Sequence, residues 1–447
     1  MENSTKQIIL IGGGYASIWA YRTITRELLV EMMDGQVQIK IICPEEFHFF
    51  HGWTAESLTG IVRDENRMSP LKELFKYAEI IKGKAVGIDT FSQLVDVDKC
   101  NGTRISVHYD QLFLGMGSAD NTSLPGLHDY GFCLKSHRDY QRAKTQIQYL
   151  IREAAATDRS RAEKMLRFVI AGSGITGVEI AANLGELLLT AKKRYPGLIP
   201  VRPTIKLISS QNTILPCFGS GRMRKYAEKI LARYGIDIIC QTKVDRVTKN
   251  GVFLSNGEFL ESHMIISTIG QTQINISGTE LMGRDPEQRI ILNSFLQVDG
   301  QSNIWGAGDA VHVNQPGRTN ACPSNALWAI KQGELAGKNM ARTFLSQSLK
   351  AFTYRGLGQC ASLGIGKGMG ELCGLPFTGW LAWIIRWFFF QYFMPSRKVM
   401  LREMTDWFHL LVNPGRKEYF IPEIKIYKPV IQKGIMTVNI NQAAYLN

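Results

Sequence analysis

Hydrophobic positions near the start of the chain alternate between short apolar runs and longer stretches with helical spacing. Residues 7–11 form an apolar run typical of a buried strand, and apolar positions then recur with helical spacing to residue 29. Residues 37–42 alternate between apolar and polar positions like a second strand. This order of strand, helix and strand is typical of a parallel sheet. Residues 167–171 and 204–208 repeat the pattern, so we predict an α/β fold with two Rossmann-like units.

The segments between and after these two units also have recognisable patterns. Residues 82–107 are typical of short β segments, and residues 109–118 of a buried strand that ends in a glycine turn. Residues 136–164 are polar and charged with helical spacing, which predicts a helical connector. Residues 303–305 resemble another short strand, and residues 324–344 are predicted to form a helix. The sequence shows no internal repeat beyond the two units.

Two glycine-rich turns each lie between an apolar strand and the start of a predicted helix. The first spans residues 11–17 and the second residues 171–179. Backbone N–H groups and the helix N-terminus of such a turn can bind a pyrophosphate. Two such turns indicate two dinucleotides held close together, as hydride transfer from a nicotinamide to a flavin requires. Ser17 stands where a third glycine is usual, so helix and strand are expected to pack slightly further apart there.

Composition narrows the class of protein. A chain of 447 residues is long enough for two or three domains. The formal net charge of +13 fits either a generally basic surface or attraction to an anionic membrane face. The chain lacks zinc-finger spacing, an RNP-like motif and a long basic run, so nucleic acid is not an expected partner. The eight cysteines are scattered without CxxC spacing, so no metal site is predicted. No secretory signal is expected.

The chain becomes strongly aromatic near its C-terminal end. Residues 377–394 contain fourteen apolar or aromatic residues out of eighteen, with a proline on either side. Three tryptophans, Trp380, Trp383 and Trp387, recur at helical spacing and are predicted to share one face. Residues 399–412 are predicted to follow as an amphipathic helix. This density of aromatic residues favours a helix that lies in a membrane interface over a helix of the core.

Arg386 bears on how this aromatic segment meets a membrane. Eighteen residues are marginal for a membrane span, which needs roughly 20. A charge at the bilayer centre costs at least about 2.5–3.5 kcal/mol. A helix that lies in the membrane surface avoids that cost, and Arg397, Lys398 and Arg402 can then meet lipid phosphates. Cutting the chain before Pro376 is therefore expected to leave a soluble flavoprotein that no longer binds membranes.

A set of motifs in a fixed order gives the chain a family resemblance. They are the glycine turn at 12–14, FHFF at 47–50, SLTG at 57–60, GMGS at 115–118, GSGITGVE at 172–179, GAGDA at 306–310, the helix entered at Pro323 and the aromatic C-terminal pair of helices. With these motifs, residues 6 to 412 resemble the type II NADH:quinone oxidoreductases, which are membrane-surface flavoenzymes. The resemblance implies FAD in the first unit, NADH or NADPH in the second, and a quinone reached from the membrane side.

The resemblance also implies a set of site residues. The expected catalytic residues are Glu179, near the nicotinamide, and Lys331, near the flavin N1 or a quinone oxygen. A helix-dipole partner and a solvated surface lysine are the respective alternatives. Asp309 is expected beside the ribityl or pyrophosphate region of the flavin, or else as a helix N-cap. The expected cofactor-binding residues are Gly12, Gly14, Tyr15, Ala16, Glu45, Gly117, Asp309, Ala310, Gly172, Gly174, Thr176, Gly177, Ser209 and Gly270.

The same resemblance predicts domain organisation and location. We expect a peripheral, monotopic protein on the cytoplasmic face of a membrane, with quinone and the lipid surface as partners and a homodimer left open. The predicted divisions are a first part of the FAD domain at 1–130, a helical connector at 131–165, an NAD(P)H domain at 166–275, a second part of the FAD domain at 276–345, a C-terminal membrane-associating region at 346–413 and a tail of unknown role at 414–447.

The sequence departs from these patterns at two places. A dinucleotide-binding unit usually has an acid at the end of its second strand, where it holds a ribose hydroxyl. That position is Cys43 in the first unit, where Glu45 or Glu46 can substitute, and Ser209 in the second unit. The choice between NADH and NADPH therefore stays open. In the helix after Pro323, Leu327 and Lys331 replace two glutamines that are usual in the family.

Two other functions remain as alternatives. A sulfide:quinone oxidoreductase needs cysteines beside the flavin to carry sulfur, and Cys133 with Cys322 is the plausible pair. The complete fingerprint at Gly172 argues against that function. A flavin-binding redox sensor with little turnover is the second alternative, since both ribose acids are missing. Anaerobic mixing with NADH or NADPH distinguishes an enzyme from a sensor.

Overall fold

The computed structural model describes residues 5–412, which form 23 strands and 12 α-helices joined by turns and short 3₁₀ helices. The predicted tail at 414–447 lies outside the described residues. The strands are β1 (Lys6–Ile11), β2 (Val37–Cys43), β3 (Phe47–Phe49), β4 (Met68–Pro70), β5 (Glu79–Asp89), β6 (Leu94–Lys99), β7 (Arg104–His108), β8 (Gln111–Leu114), β9 (Ser118–Asp120), β10 (Arg167–Ala171), β11 (Thr204–Ile208), β12 (Ile236–Ile239), β13 (Val244–Thr248), β14 (Gly251–Leu254), β15 (Phe259–Glu261), β16 (Met264–Ser267), β17 (Gln271–Gln273), β18 (Ile290–Ile291), β19 (Ile304–Gly306), β20 (Val311–His312), β21 (Gly358–Ser362), β22 (Gly368–Leu372) and β23 (Leu375–Gly379). The helices are α1 (Tyr15–Glu27), α2 (Leu29–Met33), α3 (Thr54–Leu58), α4 (Leu71–Leu74), α5 (Leu127–Tyr130), α6 (His137–Ala155), α7 (Arg159–Met165), α8 (Ile175–Arg194), α9 (Gly221–Arg233), α10 (Ala326–Phe344), α11 (Trp380–Tyr392) and α12 (Arg397–Val412).

The first sheet has seven strands in the order β19-β8-β1-β2-β5-β6-β7. Strands β19, β8, β1, β2 and β5 run parallel, and β6 and β7 add an antiparallel edge. The parallel strands β1 and β8 are almost fully buried, which explains their continuous apolar sequences. Strand β19 comes from a distant part of the chain, so the sheet is completed only after the second unit has been built.

The second sheet is wholly parallel, with the order β12-β11-β10-β16. Helix α8 follows the glycine turn after β10 and buries Val178, Ile180 and Leu184 in the core of this unit. A small antiparallel sheet, β13-β14-β15, lies next to it in the chain. Helices α6 and α7 occupy most of the predicted connector at 136–164. The predicted α/β fold with two dinucleotide-binding units is therefore confirmed.

Helix α10 packs directly along α1, the helix that follows the first glycine turn. Gly333 and Gly337 lie so close to the carbonyl oxygens of Ala16 and Ala20 that a Cβ at either glycine would collide with α1. The close approach explains why α10 carries glycines within a long helix, where glycine costs about 1 kcal/mol relative to alanine. It also sets the N-terminal end of α10 beside the end of β1.

The aromatic C-terminal segment differs from its prediction at its start. Residues 375–379 pair with 368–372 as β23, and the helix begins only at Trp380. Gly379 has φ of +84°, a conformation that favours glycine and lets the strand turn into the helix. The resulting helix α11 has 13 residues, or roughly 20 Å of length. None of the helices within residues 5–412 is both long and apolar enough to cross a membrane.

The three tryptophans predicted to share a face all lie in α11, but they differ in burial. Trp383 is buried and stacks edge-on against Trp407 of α12, while Trp380 is exposed. The exposed apolar side chains of α11 lie within about a third of the helix circumference, on the side away from Arg386. Together with those of α12 they form an outward surface that we call the apolar face: Trp380, Leu381, Phe388, Tyr392, Leu401, Met404, Phe408 and Val412.

Candidate active site

A cavity of about 510 Å³ lies where the two parallel sheets meet. One wall comes from the turns after β1, β8 and β19, and the other from α8 and the segment after β16. Ala326 and Ala329 of α10 close one side. The carboxyl ends of parallel strands are the usual ligand-binding edge of such sheets. Both dinucleotide-binding units therefore contribute to one space.

A second cavity of about 320 Å³ extends from the first towards β2 and β5. The two cavities share Gly13, Gly14, His48, Met116 and Lys135 among their lining residues. Glu45 and residues 83–85 line the second cavity and not the first. The two cavities together form an elongated cleft at the first sheet that fits an extended dinucleotide such as FAD.

Two glycines of the first turn, Gly12 and Gly14, have different structural roles. Gly12 has φ of +100°, and a Cβ there would collide with the carbonyl oxygen of Gly115. Gly14 has φ of −84° and directly precedes α1, and a Cβ there would meet no protein atom within 4 Å. Gly12 is thus required for folding, while Gly14 leaves space for a ligand at the helix N-terminus. The side chain of Ser17, in the third glycine position, is buried against Gly115, where a Cβ would collide with the serine hydroxyl.

The second turn has the complete set of three glycines, and each has a different surrounding. Gly172 has φ of +105°, and a Cβ at Gly177 would collide with the Gly172 carbonyl oxygen. Gly174 has φ of −69° and open space around its Cβ position. Two glycines therefore close the turn and one faces outward from it. These three glycines lie outside the lining of the two cavities, whereas Thr176 lines the larger cavity.

Glu179, in the first turn of α8, lines the larger cavity. Its Oε1 accepts hydrogen bonds from the backbone N–H of Ser362 at 2.7 Å and from Arg386 Nη2 at 2.9 Å. Burial raises the pKa of this carboxyl to about 7, against the lowering effect of the guanidinium of Arg386. Glu179 can therefore hold or release a proton near neutral pH, at the wall between the nucleotide helix and the C-terminal region.

Arg386 is placed differently from the sequence prediction. It was expected in a helix on the membrane surface, but its side chain is only 1% exposed. Its Nη1 lies 2.8 Å from Glu56 Oε1, and its Nη2 donates to the Gly52 carbonyl oxygen at 3.0 Å. A buried charge requires such partners. α11 therefore turns its one cation inward, against α3 and α8, and not towards lipid.

Sequence analysis missed Glu56 entirely. This residue is 1% exposed and lies one position before the SLTG motif, in α3. Its partner Arg386 is 330 residues away in the chain. An acid next to a recognised motif was the available signal, although its partner could come only from the fold.

Asp309, which is expected beside the flavin, lies in the wall of the larger cavity. Its Oδ2 accepts a hydrogen bond from Ser118 Oγ at 3.1 Å and lies 3.4 Å from Lys135 Nζ. Sequence analysis missed Lys135, which lines both cavities and brings a positive charge to the junction between them. The backbone N–H of Gly308 donates to the buried Gln332 of α10 at 2.8 Å, which fixes this turn.

His48 supports the fit of a ligand at the junction. It is 4% exposed and lines both cavities. Its Nδ1 lies 3.3 Å from the Gly13 carbonyl oxygen, while Nε2 has no hydrogen-bond partner among the described residues. Burial lowers the pKa of His48 to about 4, so the ring is neutral near pH 7. A buried polar atom without a partner is costly, and a bound dinucleotide can supply one.

The other predicted cofactor residues are placed as follows. The larger cavity is lined by Gly14, Tyr15, Ala16, Gly117, Thr176, Gly270 and Asp309, and the smaller one by Gly12, Gly14 and Glu45. Ala310 is buried in the core of the first sheet. Ser209 is fully buried, and its hydroxyl accepts from Ser173 Oγ at 2.7 Å and donates to the Thr213 carbonyl oxygen at 3.0 Å. Ala310 and Ser209 thus lie outside both cavities.

Lys331 is not brought into the cavity. Its Nζ lies 2.8 Å from Glu334 Oε2, one turn further along α10, and the side chain is about one third exposed. The cavity is lined instead by Ala326 and Ala329 of this helix. The placement favours the alternative of a solvated surface lysine.

The two cysteines considered for sulfur chemistry are buried in the cores of the two units. Cys133 is buried in the core beside the small antiparallel sheet, and Cys322 in the core of the first sheet. Neither lines a cavity, and burial raises the thiol pKa of Cys133 to about 12 and that of Cys322 to about 11. Reactive cysteines need the opposite conditions, exposure and a lowered pKa.

Two sheets with parallel strands, each with a glycine-rich turn before a helix that borders a common cavity, define a two-dinucleotide flavoprotein fold. The chain belongs to the pyridine nucleotide-disulphide oxidoreductase family, whose profile matches residues 6–333. It is 24% identical over 390 residues to a type II NADH:quinone oxidoreductase of Staphylococcus epidermidis, which covers 85% of this chain and 92% of the relative. The resemblance expected from the sequence is therefore confirmed.

Two solved structures are also similar in fold. NDH2 from Plasmodium falciparum in complex with NADH has a TM-score of 0.78 at 13% identity, over 91% of this chain and 98% of that chain. The sulfide:quinone oxidoreductase of Aquifex aeolicus has a TM-score of 0.69 at 17% identity, over 92% and 95%. Likeness at this level of identity shows the common fold, so the chemistry has to be argued from the site.

Proposed function

We propose that this protein is a FAD-dependent NAD(P)H dehydrogenase that passes electrons to a membrane quinone. The observation that carries the proposal is the single cavity to which both glycine-turn units contribute. FAD, when bound, supplies the redox chemistry by accepting a hydride from the nicotinamide and passing two electrons to the quinone. The protein supplies position, electrostatics and a proton site.

The residues of the first unit fit the role of FAD binding. Gly14 leaves the N-terminus of α1 open for a pyrophosphate. Asp309 and Lys135 place opposite charges at the junction of the two cavities. Glu45 lines only the smaller cavity, where the adenosine ribose of an extended FAD would lie. We propose the same division for the chain: an FAD domain in two parts around the NAD(P)H domain.

The second unit fits the role of the nicotinamide nucleotide. Gly174 leaves the N-terminus of α8 open, and Thr176 and Glu179 of the same helix face the common cavity. A nucleotide with its pyrophosphate on α8 can therefore extend its nicotinamide into that cavity. Glu179, with its pKa near 7, stands at this point and can hold a proton at its carboxyl.

The first experiment tests electron transfer in two steps. The purified protein, saturated with FAD, is mixed anaerobically with NADH and in parallel with NADPH, and flavin absorbance is followed. We expect rapid bleaching with at least one nucleotide and recovery of the absorbance on addition of a short-chain quinone. Persistent flavin colour with both nucleotides would favour the sensor. Bleaching by sulfide in their absence would favour the sulfide:quinone oxidoreductase.

The location at a membrane is supported by the apolar face of α11 and α12. Phe388 and Phe408 are each 63% exposed, and such a row of exposed apolar residues marks an interaction surface. Of the predicted lipid-binding cations, Lys398 lies 3.6 Å from Glu73 and Arg402 donates to the Glu65 carbonyl oxygen. The apolar face, more than these cations, therefore supports peripheral binding.

The second experiment tests this surface. The double substitution Phe388→Glu with Phe408→Glu places two charges on the apolar face. We expect loss of co-sedimentation with phospholipid vesicles, while flavin reduction by the nucleotide is unchanged. Phe91→Glu is the matched control, because Phe91 is 97% exposed but lies far from the apolar face in the chain. Full vesicle binding by the double variant would contradict the membrane assignment.

A further inference from the structure

In a dinucleotide-binding unit the adenosine ribose binds at the end of the second strand, which is β11 in the second unit of this chain. Ile208 pairs with Ala171 of β10, and its carbonyl oxygen accepts from the N–H of Gly172 in the glycine turn. Ser209 follows at once, below the turn, with its hydroxyl bonded to Ser173 Oγ. In a unit selective for NADH, an acid at this position binds the ribose 2′-hydroxyl and repels a 2′-phosphate. In this chain that position is Ser209, and its hydroxyl is already hydrogen-bonded within the protein.

The residues around Ser209 form a short, uncharged or basic rim. Residues 210–212 are exposed and polar. The segment after β12 is tied to them, because the N–H of Thr242 donates to the Ser209 carbonyl oxygen at 3.1 Å and that of Gln241 to the Gln211 carbonyl oxygen at 2.9 Å. Lys243 comes next in this segment and is exposed. The fold thus brings a lysine to the strand end that carries Ser210.

The balance of charge at this rim is positive. Residues 209–217 and 240–243 contain no carboxylate. Lys243 forms no ion pair with any residue between 5 and 412. Asp245 comes two residues after Lys243 in the chain, and the charge of Glu228 of α9 adds to the effect of burial in raising the pKa of Cys240. Neither stands at the position from which an acid excludes a 2′-phosphate.

We propose that the second unit binds NADPH as well as NADH, with Ser210 and Lys243 as the residues that receive the 2′-phosphate. The proposal rests on the proposed function, since it names the substrate of the same nucleotide site. Hydroxyl and ammonium donors are suited to a phosphate, and a phosphate with an ammonium forms a charge-assisted hydrogen bond. The 2′-phosphate thus takes the space that an acidic side chain fills in an NADH-selective unit.

Equilibrium binding of NAD⁺ and NADP⁺ to the FAD-saturated full chain tests this directly. We expect NADP⁺ to bind at least as tightly as NAD⁺, and adenosine 2′,5′-bisphosphate to compete better than 5′-AMP. Lys243→Glu should weaken NADP⁺ by about tenfold or more and change NAD⁺ by no more than about twofold. Ser210→Glu should have the same selective effect, because it restores a carboxylate at the strand end.

Lys249→Glu is the matched control, with the same change of charge on the same hairpin. Lys249 is exposed and lies at the other end of β13, roughly 20 Å from Lys243 along the strand. It should leave both affinities unchanged. Binding of NAD⁺ with NADP⁺ more than about 100-fold weaker would overturn the inference and leave the proposed function standing. Binding of neither nucleotide would overturn both.

Discussion

Gly174 is the position at which a side chain can separate nucleotide binding from folding. Its φ of −69° is accessible to every L-residue, and a Cβ there meets no protein atom within 4 Å. Gly177 is its opposite, since a Cβ there would collide with the Gly172 carbonyl oxygen. Gly174→Val therefore fills space outside the protein, at the helix N-terminus where we place the pyrophosphate of NAD(P)H.

Gly174→Val should have a small effect on the free energy of unfolding and a large effect on the dissociation constant of the nucleotide. Valine in place of glycine as the N-cap of α8 should cost about 1 kcal/mol or less in the free energy of unfolding. For the nucleotide, the isopropyl group occupies the place of the pyrophosphate and blocks its approach to the backbone N–H groups. We expect the dissociation constant of NADH to rise at least about 100-fold, which is roughly 2.7 kcal/mol.

Rapid-mixing measurements of flavin reduction against NADH concentration test this prediction. Gly174→Val should keep its flavin spectrum and its unfolding temperature within a few degrees, but require far more NADH. Gly283→Val is the matched control, because Gly283 is exposed, has no positive φ and has only the Ile291 side chain near its Cβ. An unchanged concentration dependence in Gly174→Val would refute the assignment of this turn to the nucleotide. Loss of flavin would show that the turn serves folding instead.

Three further predictions concern charges. Arg386→Met should lower the free energy of unfolding by about 3–5 kcal/mol, because Glu56 and Glu179 lose their buried counter-charge. An unfolding midpoint near that of the unchanged protein would contradict this prediction. Burial raises the pKa of the Glu403 carboxyl to about 8, so the stability that its protonated form contributes is fully present below pH 4.5 and is lost as the pH rises to 8. Glu403→Gln should therefore flatten the fall of the unfolding temperature between these two pH values. An equally steep fall in the variant would contradict this role of Glu403. Lys331→Ala should change stability by less than about 1 kcal/mol and leave flavin reduction unaltered, while a slowed reaction would return Lys331 to the site.

Local patterns were sufficient to predict the two dinucleotide units. An apolar strand, a glycine turn and a helix are adjacent in the chain, so Gly12, Gly14 and Gly174 could be assigned from spacing alone. The helix predicted at 324–344 differs from α10 by only two residues, since Asn325 caps its start with a side-chain bond to Trp328 N at 3.1 Å. Interactions of this kind are encoded within a few positions of the sequence.

The contacts that were missed join distant segments. The resemblance placed Lys331 near the flavin, but its position on α10 turns it to Glu334, which depends on how α10 is rotated against α1. Lys135 lies in the predicted connector, just before α6, and only the closed fold brings it to Asp309. The burial of Arg386 is the clearest case, because an arginine within an aromatic segment has the same sequence pattern whether it faces lipid or a carboxylate.

Because Arg386 is buried, a C-terminal truncation does not test membrane binding alone. From the sequence, cutting before Pro376 was expected to give a soluble flavoprotein that lacks only its membrane contact. In the structure the removed segment carries Arg386, so the cut would leave Glu56 and Glu179 facing each other without their common cation. It would also uncover Trp53, which packs on Trp407 of α12. The exposed apolar face and the buried ion pair lie on opposite sides of α11, so charges introduced at Phe388 can test membrane binding without disturbing the wall of the active site.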